Sequence, residues 1–176
     1  TLPTLTGLTS TLDVHLDGTV ALNALSGVLV AAGGFELELG QVSTVNPNNT
    51  VTFTNADALT LTLTSVQVFV GVGGSLSGAT ASSTVVNGSL GFGGSVGSLT
   101  LVSIKDKGAL PATTDDKNYL GVIASGLTAD LIGLEALLEF HASANLALNK
   151  ATDGLGAPIT KLDWATLGTT GTTGLT

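Results

Sequence analysis

The chain has 176 residues, of which 43% are hydrophobic and 10% charged, and it contains no cysteine and no methionine. Its net charge of −8 offers no basic patch for phosphate groups, which argues against nucleic acid and against anionic membrane surfaces. Without cysteine there is neither a disulfide scaffold nor a thiolate metal site, and no run of about 18 apolar residues predicts membrane insertion.

The low content of charge points toward self-association. An average soluble domain carries about 25% charged residues, so a lone molecule of this composition has few charges with which to cover its surface. We expect part of the surface to be buried against identical units, and threonine and serine to form an uncharged polar coat over the rest.

From residue 11 onward the chain reads as one β-strand after another. In residues 12–17 (LDVHLD) apolar side chains alternate with aspartate and histidine, and in residues 35–39 (FELEL) they alternate with glutamate. Because side chains of a strand point alternately to its two faces, the apolar set is expected to face the core while Glu36 and Glu38 face solvent.

The middle of the chain predicts an irregular strand. Leucines occupy the odd positions of residues 59–63, and valines occupy the even positions of residues 66–72. Because the side-chain period of a strand is two residues, this change of parity after Ser65 requires a bulge or a change of sheet.

Further along, residues 138–148 show the cleanest alternation of the chain, ending at Leu148. The only helical spacing is weak and covers residues 129–138, where Gly133 interrupts it. Residues 105–117 (KDKGALPATTDDK) are charged and contain a proline, which is typical of a surface loop.

Turn signals such as Asn46–Asn49, Asn87-Gly88 and Asp153-Gly154 separate the strands. Strands at this spacing predict an all-β fold of roughly eight to twelve strands, an elongated antiparallel β-sandwich or β-roll, with a β-solenoid as the alternative. We expect one β domain over residues 11–167, an extended linker or donor-type strand over 1–10 and a Thr/Gly-rich linker over 168–176.

Two histidines are the only candidates for chemistry on the predicted strands. His15 lies between Asp13 and Asp17, and His141 lies near Glu139, each pair on an outward face. Such residues can share a cation, but the favoured interpretation is that they are solvent-exposed polar side chains without a ligand. No strained serine context accompanies them, so we predict no catalytic, cofactor-binding or metal-binding residue, and no enzyme.

Calcium is the one cofactor that stays open. Asp106, Asp115, Asp116 and Asp153 offer oxygen ligands, but the chain has neither an EF-hand loop nor a calcium-binding nonapeptide. The favoured interpretation is a hydrated loop.

Three other residues stand out. Asn48 and Asn87 match the N-glycosylation acceptor pattern. Trp164 is the only tryptophan, and we expect it to anchor the core at the end of the domain.

Four stretches resemble repeat units of giant secreted bacterial surface or adhesin-like fibre proteins, and together they span residues 68–167, more than half of the chain. They are VFVGVGGSLSG (68–78), GSLGFGGSVGSLTLV (88–102), NYLGVIASGL (118–127) and NKATDG…KLDWATL (149–167). The resemblance implies an extracellular or cell-surface, tandemly repeated and non-enzymatic unit, with no catalytic residues to carry over.

The sequence therefore predicts a structural module of an extracellular filament or adhesin stalk that associates head-to-tail with identical units or repeats. Association is covalent or by strand exchange, in which case deleting residues 1–10 abolishes assembly. A host or neighbouring cell surface is a further possible partner. The alternative is a calcium- or glycan-binding module of a bacterial surface protein.

Overall fold

The computed structural model describes residues 6–46, 51–79, 82–108 and 113–167. The predicted turn at Pro47–Asn49, the acceptor Asn48, the C-terminal linker and the first half of the N-terminal segment lie outside these residues. The strands are β1 (Leu12–Ala24), β2 (Leu29–Asn46), β3 (Val51–Val72), β4 (Ser75–Ser77), β5 (Thr84–Val86), β6 (Leu90–Asp106), β7 (Lys117–Ile132) and β8 (His141–Asp153), with one 3-10 turn at Thr113–Asp115.

Six of the strands form one large antiparallel sheet in the order β1-β2-β3-β6-β7-β8. The chain runs up and down through this sheet, and the β4–β5 arm is inserted between β3 and β6. The arm forms a separate two-stranded antiparallel sheet that lies against β2 and β3, where the Val85 N–H donates to Gln67 Oε1 at 3.0 Å. The predicted all-β antiparallel fold is confirmed, and the arrangement is consistent with a sandwich or roll rather than with a solenoid.

The predicted irregularity of the long central strand is a β-bulge. Ser65 has a φ of 50°, and the pairing of β2 with β3 shifts register at this point. A second shift lies in β7 between Ala124 and Leu127. Each extra residue restores the apolar side chains to the face that they occupied before it, so the change of parity after Ser65 is compensated in space.

The helical expectation for residues 129–138 was wrong. Ala129 pairs with both β6 and β8, and Asp130 pairs with His141, so β7 continues to Ile132. Gly133, at a φ of 83°, ends the strand, and a short turn follows. Hydrogen bonding to two neighbouring strands outweighs the weak local helical spacing.

The main core lies at one end of the sheet, on the face that carries Ala58, Ile104, Tyr119 and Ala151. The rings of Phe53 and Tyr119 meet edge to face, with centroids 5.5 Å apart. The C-terminal segment, residues 157–167, covers this end, and we call it the cover segment. Its side chains Ile159, Leu162, Trp164 and Leu167 belong to the cluster or pack against it.

A second, smaller buried group lies near the other end of the same face. Val30 and Phe69 are fully buried, and a Cβ on Gly74 would approach both side chains to less than 3.0 Å. The backbone that leads into the β4–β5 arm therefore packs directly on them.

Candidate functional site: an exposed apolar sheet face

The most unusual feature of the molecule is the face of the large sheet opposite to its two buried groups. Paired residues of antiparallel strands place their side chains on the same face, so the register identifies the positions of each row outside the bulges. Five successive rows across β1, β2, β3, β6, β7 and β8 carry an apolar residue or glycine throughout. We call this surface the apolar face, and the opposite one the mixed face.

The first row of the apolar face is Leu16, Leu37, Leu61, Leu101, Val122 and Leu148. The last row is Ala24, Leu29, Val70, Phe92 and Leu131, with Phe140 at its end.

No described residue covers the most exposed part of the apolar face. Leu16, Val20 and Phe92 expose 52%, 55% and 57% of their surface, and Val70 and Leu146 each expose 48%. Leucines and valines in the middle of this face are partly exposed, and Ala124 among them is buried. Contiguous exposed apolar surface of this kind marks an interaction site.

The area of the apolar face is comparable to that of a stable protein–protein interface. Six strands at about 4.8 Å spacing and five rows at about 6.8 Å give roughly 1,000 Å². Two such surfaces in contact bury about 2,000 Å², which is above the roughly 1,600 Å² of a typical specific complex.

The expected facing of the second strand was therefore wrong in part. Phe35 and Leu37 lie on the open face instead of in the core, and Glu38 is only 5% exposed instead of facing solvent. Glu36 is exposed as expected. The reason is tertiary, because the cover segment and the β4–β5 arm both lie on the mixed face.

The two edges of the sheet are also open over much of their length. Among the described strands, β1 and β8 each pair with one neighbour. At the end of β8, Ile159 N–H donates to the Ala151 carbonyl and Asp153 N–H donates to the Ala157 carbonyl. Unpaired edges can add a strand from another chain.

These two edge strands resemble one another. Residues 13–23 (DVHLDGTVALN) and 139–149 (EFHASANLALN) align without a gap, sharing the histidine and the final Ala-Leu-Asn. The sheet thus begins and ends on the same kind of strand. A search of the sequence at offsets that match the strand spacing would have found this similarity.

The first histidine, His15, lies on the mixed face at the β1 edge. Its Nε2 is 3.4 Å from Glu36 Oε1 and 3.6 Å from Asp17 Oδ1, and its Nδ1 is 3.6 Å from Glu38 Oε1. The sequence alone predicted that Asp17 lies near this ring. The two glutamates belong to β2, and only the pairing of β1 with β2 shows that they lie beside His15.

The second histidine, His141, forms a similar pair of contacts at the β8 edge. Its Nδ1 is 2.6 Å from Asp130 Oδ1 and its Nε2 is 3.1 Å from Glu139 Oε1. The hydrogen bond to Asp130, followed by that to Glu139, raises the pKa of His141. Glu139 was expected near this histidine, and Asp130 was not.

Two of the carboxylates considered for calcium, Asp116 and Asp153, have partners within the chain. Asp116 is buried and pairs with Lys105 Nζ at 2.9 Å, while Asp153 accepts the N–H groups of Leu155 and Ala157. Burial is the main cause that raises the pKa of Asp106. In the described residues, only His15, Glu36 and Glu38 bring three potential metal ligands together.

A groove of about 510 Å³ lies beside Trp164. The indole Nε1–H donates to Asn149 Oδ1 at 3.1 Å, and the ring covers Gly121 so closely that a Cβ there would lie 2.8 Å from it. Trp164 therefore acts as an anchor of the cover segment, as expected. The acceptor Asn87 is exposed.

Comparison with known proteins found no matching family model, no similar curated protein and no similar solved structure. Within the ranges that the structure describes, no helix has the length and apolar character needed to cross a membrane.

Proposed function

We propose that the chain is a non-enzymatic structural module of an extracellular filament or adhesin stalk, and that its apolar face packs against the same face of a second copy. The observation that carries this proposal is the exposure of five apolar rows on a sheet that a single chain leaves uncovered on one side. The extracellular setting rests on the resemblance of residues 68–167 to repeats of surface-fibre proteins.

A second copy is the occupant that the surface favours. The apolar face holds no charged side chain within its five rows, so two copies can meet about a two-fold axis without opposing like charges. The buried area of about 2,000 Å² supports a stable pair. A sheet packed on a sheet at about 10 Å also gives the sandwich arrangement common in all-β proteins.

Head-to-tail growth has support from the edges of the sheet. β8 of one unit and β1 of the next run antiparallel in a continued sheet, and their open backbone groups are free to pair along most of their length. The similarity of residues 13–23 to 139–149 fits this junction, because each unit then adds the type of strand with which the previous one ended.

The test uses a charge placed on the apolar face. Phe92→Glu is expected to lower the association constant by roughly 100-fold or more, because burying an unpaired charge is costly. Leu16→Lys, on β1, is expected to act similarly. Both side chains are more than half exposed in the single chain, so both variants should fold. Sedimentation velocity measures the oligomer, and circular dichroism checks the fold.

The matched control is Ile123→Glu. Ile123 is 63% exposed and lies on the mixed face, in the row of Thr100 and Ala147, so this variant should assemble like the wild type. A wild-type chain that stays monomeric at high concentration overturns the proposal. So does a monomer that binds lipid vesicles through Phe92, or a control that dissociates as readily as Phe92→Glu.

Deletion of residues 1–10 separates the two modes of association. Loss of filaments with retention of dimers identifies strand donation as the head-to-tail contact. Retention of filaments excludes strand donation and leaves edge pairing of β8 with β1.

A further inference from the structure

The cluster around His15 contains a carboxylate that is largely removed from solvent. The Glu38 side chain is only 6% exposed, and its ion pair is with His15 Nδ1, at 3.6 Å. That distance is beyond the range of a hydrogen bond. A charged carboxylate with so little exposure is costly without a cation beside it, and the contact with His15 directs Glu38 toward the cluster.

The surroundings of Glu38 are acidic. Asp17 and Glu36 are directly paired across β1 and β2, although like charges in opposite positions destabilise a sheet. Among the ion pairs of the described residues, none places a lysine on this cluster. A bound cation would compensate both the buried charge and the opposed one.

The ligand atoms already lie close to one another. One atom from each of His15, Glu36 and Glu38 fits within 4.8 Å of the other two. Zinc bound at about 2.0–2.2 Å in tetrahedral geometry holds its ligand atoms roughly 3.3 Å apart. The imidazole lies between the two glutamates, with Nε2 3.4 Å from Glu36 Oε1 and Nδ1 3.6 Å from Glu38 Oε1. Binding of both glutamates to an ion on one ring nitrogen therefore requires a small shift of the second carboxylate.

We propose that His15, Glu36 and Glu38 bind a divalent transition metal ion, and that zinc is the best fit. An imidazole nitrogen with two carboxylates is a set that zinc accepts, with three protein ligands and an open fourth position. Asp17, 3.6 Å from Nε2, lies where it can contribute at the rim. Calcium prefers six to eight oxygen ligands, which this cluster does not supply.

The site has a structural consequence. β1 is an edge strand whose pairing among the described strands is with β2, and the ion joins His15 of β1 to both glutamates of β2. Metal binding should therefore stabilise the folded state and protect the β1 edge. This proposal is independent of the apolar face, because His15 and Glu38 lie on the opposite side of the sheet.

The test is titration of the metal-free chain with ZnCl₂, followed by calorimetry and by thermal unfolding. Zinc should raise the midpoint of unfolding, while CaCl₂ and MgCl₂ at equal concentration should not. Glu38→Gln, which keeps the shape of the side chain, should weaken zinc binding about 100-fold or more, as expected when a ligand is lost. His15→Gln should do the same.

His141→Gln is the matched control, because His141 also contacts two carboxylates but lies at the other edge of the sheet. It should bind zinc like the wild type. In the histidine region of the NMR spectrum, zinc should shift the His15 signals and leave those of His141 in place. Failure of the wild type to bind zinc, unchanged affinity in Glu38→Gln, or equal loss in His141→Gln overturns the proposal.

Discussion

At the scale of single residues, the two buried carboxylates of the described chain have opposite environments. Asp116 accepts from Lys105 Nζ at 2.9 Å and from the Gly108 N–H at 3.2 Å, and the hydrogen bond to Lys105 is the main cause that lowers its pKa. Glu38 has its ion pair with the imidazole of His15, at 3.6 Å and with no lysine in the pair. This contrast, and not burial alone, identifies Glu38 as the carboxylate whose charge is less fully compensated.

His141 gives a prediction about pH. Its pKa is raised, chiefly by Asp130 and then by Glu139, so its contribution to stability is fully present below the unfolded-state pKa of about 6.5. That contribution is lost as the pH rises through the higher folded-state pKa. NMR titration of Asp130→Asn should give a pKa for His141 lower than in the wild type, and the free energy of unfolding should depend less on pH in this range.

Glu139→Gln is the comparison for this experiment. It should lower the pKa of His141 by less than Asp130→Asn does, since the contact with Asp130 is the shorter one. Equal pKa values in the wild type and Asp130→Asn would contradict the assigned cause.

At the scale of elements, the cover segment decides which end of the sheet has a core. It is held by the hydrogen bond from Asn149 Nδ2 to the Leu162 carbonyl, at 2.8 Å, and by the Trp164 ring on Gly121. Gly121 is required there because any side chain would meet the indole. The segment acts as a partial second layer on the mixed face.

We expect Trp164→Ala to lower the free energy of unfolding by about 3 kcal/mol, the low end of the range for such truncations, because the ring is only partly buried. Denaturant unfolding followed by circular dichroism measures it. Trp164→Phe, which keeps a ring but loses the bond to Asn149, should cost about 1 kcal/mol from the hydrogen bond. A loss below about 0.5 kcal/mol in Trp164→Ala, the range of ordinary surface changes, would show that the cover segment does not depend on this anchor.

At the scale of the whole molecule, the described residues form a large sheet with a core on one side and an apolar face that none of them covers on the other. If copies pair through that face, association stabilises the folded state by mass action. The unfolding temperature of the wild type should therefore rise with protein concentration. In Phe92→Glu it should be independent of concentration, and a wild type that shows no concentration dependence would argue against pairing.

Much of this architecture was accessible from sequence. The alternation in residues 12–17 and 35–39, the bulge after Ser65 and the antiparallel pairing were all predicted from local patterns. The helix expected near Gly133 was wrong, because pairing with two strands overrode local spacing. The metal-ligand set around His15 was not predicted, because Glu36 and Glu38 reach it only through the register of β1 on β2.

By itself the sequence determined which residues share a face, because side-chain alternation is a local property of every strand. Only the tertiary structure decided which face is covered. Two segments cover the mixed face, the β4–β5 arm and residues 157–167. They are held there by contacts between distant parts of the chain, such as Trp164 on Gly121. No periodicity encodes such contacts, so the aliphatic rows that resembled a core are the open surface of the single chain.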